Sequence, residues 1–298
     1  MGARSFVISL TLSAGLATAA NSSAPPPSPA EQAAVIEATR NAALTFSDAL
    51  PDFICTQVTR RWVNQGHTPS NLTIAGPRMR QSESTVRLGD SEQWKLRDTL
   101  TIQLTYFGQK EQYKLLLVNG LQTKQSYESV GGTTDYGDFG SVLGILFQAS
   151  SEAKFTWDHW GVLNGQPVMV FSFYVVPAHS QWHIAYGSQD LIAAFKGLVF
   201  IEPAQHQVLK LKVNADGIPK KFPIQKSGVE LDYRRQAVGD RQFLLPLKAT
   251  DWTDTKNVST KNEAEFRLYR KFSTDSKIDF DTPAPLPENQ IKDTIPNN

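Results

Sequence analysis

The sequence contains a single cysteine, Cys55, among 298 residues. One cysteine cannot form an internal disulfide, so the small exported domains that depend on disulfide bonds are excluded. Cys55 follows Pro51 in an apolar stretch, and cysteines outside disulfides are among the most buried residue types. We predict a buried thiol, with an intermolecular or reactive thiol as the alternative.

A charge excess of either sign is also missing. Lysine and arginine together number 30, aspartate and glutamate 29, and the formal net charge is +1. Nucleic acids and anionic membrane surfaces select strongly basic partners. The composition therefore predicts that nucleic acid is not a partner.

No apolar run is long enough to cross a membrane as a helix, which takes roughly 20 residues. Residues 6–16 form a shorter apolar run, with Arg4 before it and the small-residue pattern Ala-Thr-Ala at 17–19 after it. This order is typical of a secretory signal peptide. We predict a mature chain that is exported to the periplasm or the extracellular space and does not span a membrane.

Catalytic and cofactor signatures are absent as well. His179 and His183 are four residues apart in a predicted strand, which places them about 13 Å apart and does not suit one metal ion. Asp135, Asp138 and Asp158 lack the spacing of a calcium-binding loop. No Gly-x-Ser-x-Gly motif is present. We predict no catalytic residue, no metal and no cofactor, while a hydrolase whose residues converge only in space remains an alternative.

The clearest pattern present is an apolar–polar alternation with a period of two. Residues 209–213 place three apolar side chains on one face and Lys210 and Lys212 on the other. That alternation predicts a strand with one face in water. The run 195–201 precedes it, and we expect the two to form a hairpin at the middle of a larger antiparallel sheet.

About ten such strands follow one another by short links. Asn119-Gly120 and Asn164-Gly165 are favoured hairpin turns between them. Consecutive strands joined by short links usually pair with each other, so we predict an antiparallel meander.

Two helices are predicted. The first begins at Ser28, where Pro29 and Glu31 complete a capping box, and Pro51 ends it. Its predicted apolar face has five members: Val35, Ala38, Ala42, Phe46 and Ala49.

The second helix follows Asp138, a plausible N-cap. Five apolar residues recur there with the spacing of one helix face: Phe139, Val142, Leu143, Leu146 and Phe147.

The fold class that follows is mainly β (α+β). We expect a large curled antiparallel meander sheet, like half of a barrel, with both helices packed on it. The predicted organisation is a signal peptide at 1–20, a Pro/Ser linker at 21–28, one β-rich domain at 29–281 and a flexible tail at 282–298.

Three motifs resemble a group of uncharacterised secreted acidobacterial proteins: LPDFICTQ at 50–57, GDFGS at 137–141 and YRKF at 269–272. That group carries no known activity, so the resemblance implies only export. The order of elements also resembles, more distantly, the half-barrel of periplasmic outer-membrane lipoprotein carriers. Residues 195–203 are similar to the strand that precedes a turn in those proteins. This second resemblance implies a curled sheet around short helices.

The leading functional hypothesis is non-catalytic binding of an apolar ligand, a lipid or a lipoprotein acyl chain, inside the curled sheet. An envelope protein–protein interaction module is the second hypothesis. The oligomeric state stays open. The predicted ligand-lining residues come from the second helix and from the strand 168–176: Phe139, Leu143, Leu146, Phe171 and Phe173.

Overall fold

The computed structural model describes residues 25–65, 94–132, 139–272 and 284–287. The predicted signal peptide, the first part of the linker, and Asp135 and Asp138 lie outside the described residues. The described part is mostly β, as the alternation of the sequence predicts.

Three α-helices lie in this part of the chain: α1 (Pro29–Leu44), α2 (Phe46–Ala49) and α3 (Ser141–Phe147). None of these helices is long and apolar enough to cross a membrane. The described strands, numbered along the chain, are β1 (Phe53–Gln65), β2 (Lys95–Phe107), β3 (Lys110–Val118), β4 (Leu121–Gln122), β5 (Lys154–Leu163), β6 (Gln166–Val175), β7 (Trp182–Tyr186), β8 (Gln189–Ile201), β9 (Val208–Asp216), β10 (Ile224–Val238), β11 (Arg241–Thr255) and β12 (Val258–Lys271).

The strands form one antiparallel sheet in the order β4-β3-β2-β1-β12-β11-β10-β9-β8-β6-β5, with β7 paired to β8 beside this path. Strands twist against their neighbours, so a sheet this wide curls when it covers its own core. Phe147 at the end of α3 stacks on Phe155 of β5, while Phe139 just before α3 contacts Phe53 of β1. One short helix thus reaches strands far apart in the sheet. We call the side that faces the helices the inner face.

The predicted meander is correct for most neighbours and wrong at two places. The first strand pairs with the last, and Phe53 lies opposite Lys271. The long strand β8 pairs with β7 through its first half and with β6 through its second half, so that Ala193 lies opposite Trp182 and Phe195 opposite Val175. The pairs β1–β12 and β6–β8 are not consecutive strands, whereas β7 and β8 are.

The β8–β9 hairpin was predicted at the middle of the sheet. It lies inside the sheet, but β8 and β9 are the third and fourth strands from the β5 edge. The middle is taken by β1, β12 and β11, because the pairing of β1 with β12 joins two groups of strands. The hairpin turns at Asn119-Gly120 and Asn164-Gly165 are present, with positive φ at both residues of each turn, as their chemistry predicts.

The first helix begins as predicted. The Ser28 side chain accepts from the backbone of Glu31, and the Glu31 carboxylate accepts from the backbone of Ser28 at 2.7 Å. Its end differs from the prediction, because α1 stops at Leu44 and the short α2 follows. Its buried positions are Thr39 and Ala43.

The predicted apolar face of the first helix is confirmed only in part, since Val35 and Phe46 pack against the main core. Ala38 and Ala42 are only half-buried, and Ala49 is exposed. The helix packs against α3, where Arg40 donates to the backbone oxygen of Phe147 at 2.5 Å.

The third helix begins at Ser141, two residues after the start that the apolar spacing predicts, with Gly140 as its N-cap. Four of the five predicted face residues are buried, and Val142 is half-buried. They join one large core with side chains from β1, β2, β5, β6 and β8–β12. The helix therefore lies against the inner face, as the apolar pattern predicts.

The prediction that Lys210 faces water is wrong. Its side chain is only 3% exposed, and its Nζ lies 2.5 Å from Glu230 and 3.1 Å from Asp232 on the neighbouring strand β10. A buried ammonium is tolerated when carboxylates neutralise it and accept its hydrogen bonds. Burial opposes the negative charge of Glu230, but the hydrogen bond and charge of Lys210 outweigh it and hold the pKa of Glu230 below its ordinary value.

A second buried ionic group lies on the outer face. Glu265 of β12 is 1% exposed and accepts from Arg60 and from Arg267. Burial, together with the charge of Arg60, lowers the pKa of Arg267 to about 10. Residues 284–287, within the predicted tail, lie against this group. Leu286 donates its backbone N–H to Glu265 at 3.3 Å, and Ala284 accepts from Arg267.

Cys55 lies on β1, opposite Leu104, with 1% of its surface exposed. We expect a thiol reagent to label the native protein slowly and the denatured protein fast, because β1 must open before the reagent reaches the sulfur. Mass spectrometry of timed samples measures this. A matched control is Ser188→Cys in a Cys55→Ala background, since Ser188 is exposed in the β7–β8 turn. Cys55 labelling as fast as this control contradicts the prediction.

Candidate functional site

The five side chains predicted to line a ligand cavity all lie in the main core, with exposed fractions between 0% and 4%. The ring of Phe139 contacts that of Phe266, with 5.3 Å between the ring centroids, and the rings of Phe171 and Trp157 are 5.4 Å apart by the same measure. Phe173 contacts Phe195 at 6.1 Å. The fold thus brings the five residues into one core, where neighbouring side chains cover each of them.

A cavity of about 310 Å³ opens at the edge of this core, where three hairpins come together. We name it the Arg234 cavity. The β5–β6, β8–β9 and β10–β11 connections all lie at this end of the sheet. Its apolar wall consists of members of the main core: Leu163, Leu209, Tyr233 and Leu244. Its polar rim carries five side chains: Asn164, Gln166, Glu202, Arg234 and Arg235.

Arg234 is partly buried on this rim. Its Nη1 donates to the backbone oxygen of Tyr233 at 2.8 Å. With the Asn164 amide placed so that its oxygen faces the guanidinium, Asn164 accepts from Nε at 3.2 Å and from Nη2. The tight turn at Asn164-Gly165 sets this position, since both residues adopt the left-handed backbone that Asn-Gly favours.

Arg235 is held differently. Its Nη2 donates to Gln207 at 3.0 Å and to Gln205, and it lies 3.5 Å from a carboxylate oxygen of Glu202. The Arg235 side chain is 45% exposed. These contacts tie the β8–β9 connection to β10 through the Nη2 group of Arg235.

A second cavity, of about 520 Å³, lies at the opposite end of the strands. We name it the Thr260 cavity. The β7–β8 turn, the β11–β12 turn and Gly132 surround it, and no charged side chain of the described residues lines it. The Thr255 hydroxyl donates to Val258 at 2.9 Å and so serves the turn itself. Neither cavity has one of the five predicted residues in its wall.

Acid–base chemistry has little support in the described residues. Three histidines lie beside a carboxylate on the surface. The distances from ring nitrogen to carboxylate oxygen are 2.5 Å for His159–Asp158, 3.5 Å for His179–Glu152 and 3.3 Å for His183–Asp190. None of these residues lines either cavity. Three or more potential metal ligands do not come together anywhere in the described ranges. What the geometry offers is an apolar wall with a cationic rim.

None of the residues that line the Arg234 cavity is among the ligand-lining residues predicted from the sequence. The cavity residues come from three hairpins that are distant in sequence, so no single motif contains them. The one local signal is Arg234-Arg235, where two cations follow the alternating run of β10. Side chains alternate between the two faces of a strand, so one of these two arginines is expected on the face that carries Leu231 and Tyr233.

No protein-family model matches the sequence, and no curated protein does. Solved structures with a similar arrangement include a LolA-superfamily protein from Nitrosomonas europaea, 6% identical, with a TM-score of 0.37 over 81% of this chain and 93% of that chain. An outer-membrane lipoprotein-sorting protein domain from Vibrio parahaemolyticus is 11% identical, with a TM-score of 0.32 over 81% and 92%. A DUF1329-family protein from Desulfovibrio piger is 8% identical, with a TM-score of 0.34 over 81% and 95%. Similarity at this level does not place the chain in a family, and the acidobacterial resemblance stays a prediction.

Proposed function

We propose that this protein is a non-catalytic envelope protein that binds an apolar ligand, a lipid or an acyl chain, on the inner side of its curled sheet. The observation that carries the proposal is the wall of the Arg234 cavity. Leu163, Leu209 and Leu244 belong to the same continuous core as the five predicted residues. Small-molecule sites are concave, mostly apolar and roughly 300–1,000 Å³ in volume, and this cavity falls in that range.

In this proposal the ligand enters at the end of the sheet that carries the β5–β6, β8–β9 and β10–β11 connections. Leu209 and Leu244 are 9% and 8% exposed, so they stand at the boundary between core and cavity. An apolar chain that enters there buries its own surface against side chains that are already in place. Each buried methylene contributes about 0.8 kcal/mol. The five predicted residues belong to the same core as this wall.

The two alternatives have less support. Exposed large apolar side chains are present, such as Phe107 at 50%, Leu121 at 74% and Ile192 at 45%. They lie on three different elements, whereas an interaction surface needs a contiguous patch. A hydrolase needs an acid–base pair at a cleft, and the histidine–carboxylate pairs of the described residues stand away from both cavities.

A neutral fluorescent probe tests the proposal. We expect N-phenylnaphthylamine to bind the native protein saturably, and Leu244→Trp to weaken that binding on the order of tenfold or more, because the indole fills the cavity and displaces apolar contact area. Fluorescence titration measures both. The matched control is Val258→Trp, which fills the Thr260 cavity instead and leaves probe binding intact.

A circular-dichroism melt confirms that each variant is folded before the titration. Native protein that takes up no neutral probe overturns the proposed function. Equal loss of binding in the two variants overturns the assignment to the Arg234 cavity.

A further inference from the structure

Arg234 is an unusual arginine for a partly buried strand. Among the described residues no carboxylate lies within ion-pair distance of its guanidinium, and its hydrogen-bond partners are the neutral oxygens of Tyr233 and Asn164. Two acids lie nearby, and each is paired with another cation. Glu202 of the cavity rim pairs with Arg235, and Asp232, two residues before Arg234 on β10, pairs with Lys210. Buried or half-buried charges are normally paired.

The cavity that Arg234 lines therefore carries an excess of positive charge. Its charged lining residues are Arg234, Arg235 and Glu202, and Glu202 balances only one of the two arginines. A guanidinium has five N–H donors, and the contacts to Tyr233 and Asn164 leave part of this set for a ligand. The Asn164 contact also fixes the plane of the guanidinium, so a ligand meets an oriented group.

The same cavity is apolar on its other side, where Leu163, Leu209 and Leu244 form the wall. A purely apolar ligand leaves the charge of Arg234 unmatched, and a small inorganic anion leaves the leucines in contact with water. A ligand with an anionic head and an apolar tail satisfies both sides. Hydrogen bonds from arginine to an anionic oxygen are about twice as strong as neutral ones, and they strengthen further away from bulk water.

We propose that the Arg234 cavity is the head-group site for an anionic amphiphile, with a carboxylate or phosphate bound by Arg234 and a single alkyl chain laid against the leucine wall. This inference rests on the proposed function and specifies its ligand class. A volume of about 310 Å³ lies at the lower end of the range for ligand sites, which favours one chain over two.

Calorimetric titration with four probes of matched length tests the inference: decanoate, decyl phosphate, decanol and decyltrimethylammonium. We expect the two anions to bind the native protein about 10- to 100-fold more tightly than decanol, the range for a hydrogen bond to a charged group. The cationic probe should bind more weakly than decanol. Inorganic phosphate alone should bind far more weakly than decyl phosphate, since it makes no contact with the wall.

Arg234→Gln should remove the preference for anions, and a circular-dichroism melt shows that the variant is folded. Arg234→Lys should keep part of the preference, because it retains the charge and loses the paired donors. Arg241→Gln is the matched control, with the same charge change at the same end of the sheet but outside the cavity lining, and it should keep the full preference.

The possible outcomes separate the two proposals. Binding of all the neutral and anionic probes with equal affinity, or equal effects of Arg234→Gln and Arg241→Gln, overturns the head-group assignment and leaves apolar binding in place. Inorganic phosphate binding as tight as decyl phosphate overturns the amphiphile and makes the site one for a free anion. Failure of every probe, together with the neutral fluorescent probe, overturns the proposed function itself.

Discussion

Glu265→Gln is expected to destabilise the protein by about 3–5 kcal/mol, the range for removing one partner of a buried ion pair. Glu265 is 1% exposed and pairs with both Arg60 and Arg267, of which Arg267 is itself buried. Without the carboxylate, the buried guanidinium of Arg267 and the partly exposed one of Arg60 remain close together without an anion between them. The backbone N–H of Leu286 also loses a charged acceptor. The midpoint of urea unfolding, with the slope of the transition, gives the free energy.

Two controls define the cause. Asp190→Asn removes a carboxylate from an exposed pair with His183, in which both side chains are more than half exposed, and should change stability by less than about 1 kcal/mol. Glu265→Leu combined with Arg267→Met replaces the buried charges by apolar side chains and should recover much of the loss. A loss for Glu265→Gln as small as that for Asp190→Asn contradicts the prediction.

Gly197→Ala is expected to destabilise the protein by about 3 kcal/mol or more, at or above the upper end for overpacking substitutions. A Cβ atom at Gly197 would lie 1.7 Å from the backbone oxygen of Lys212 and 2.9 Å from the Phe173 ring. The first of these atoms belongs to β9, the partner of β8, so it cannot move without disturbing the pairing of the two strands. Thermal and urea unfolding of the variant measure the effect.

Gly144→Ala is the matched control. Gly144 lies inside α3, and a Cβ atom there meets nothing within 4 Å. Alanine in a helix interior is more favourable than glycine by about 1 kcal/mol, so this variant should gain stability. If Gly197→Ala unfolds at the same midpoint as the unsubstituted protein, the two strands can move apart at little cost. That result contradicts the close packing of β8 on β9.

The sequence predicts those features of the fold that short stretches determine. The capping box at Ser28 and Glu31 and the Asn-Gly turns are local chemistry, and they appear where they are predicted. Alternation correctly assigns Leu211 and Val213 to the core. It assigns Lys210 and Lys212 to the opposite face of the same strand. Burial of Lys210 escapes such an argument, because it depends on two carboxylates of a neighbouring strand that the sequence places 20 and 22 residues later.

The candidate site shows the same limit. Apolar periodicity predicts Leu143 and Phe171 as ligand-lining residues, and the structure places them in the main core, outside the walls of both cavities. The Arg234 cavity forms where Asn164, Glu202 and Arg234 meet, and each comes from a different hairpin. Its shape depends on which hairpins are neighbours in space. Periodicity gives the face of a strand, but it does not give the position of that strand in the sheet.

The pairing of β1 with β12 has a consequence for the order in which the polypeptide can fold. Phe53 can find its partner Lys271 only after nearly the whole domain has been synthesised. Ribosomes add about 5–20 residues per second, so β1 waits for many seconds with one edge open. Contacts between residues so far apart in sequence also slow the search itself. We expect the β5–β11 hairpins to assemble first and the arrival of β12 to close the sheet. During that interval the exposed edge of β1 is the place where the nascent protein is most open to aggregation and to chaperones.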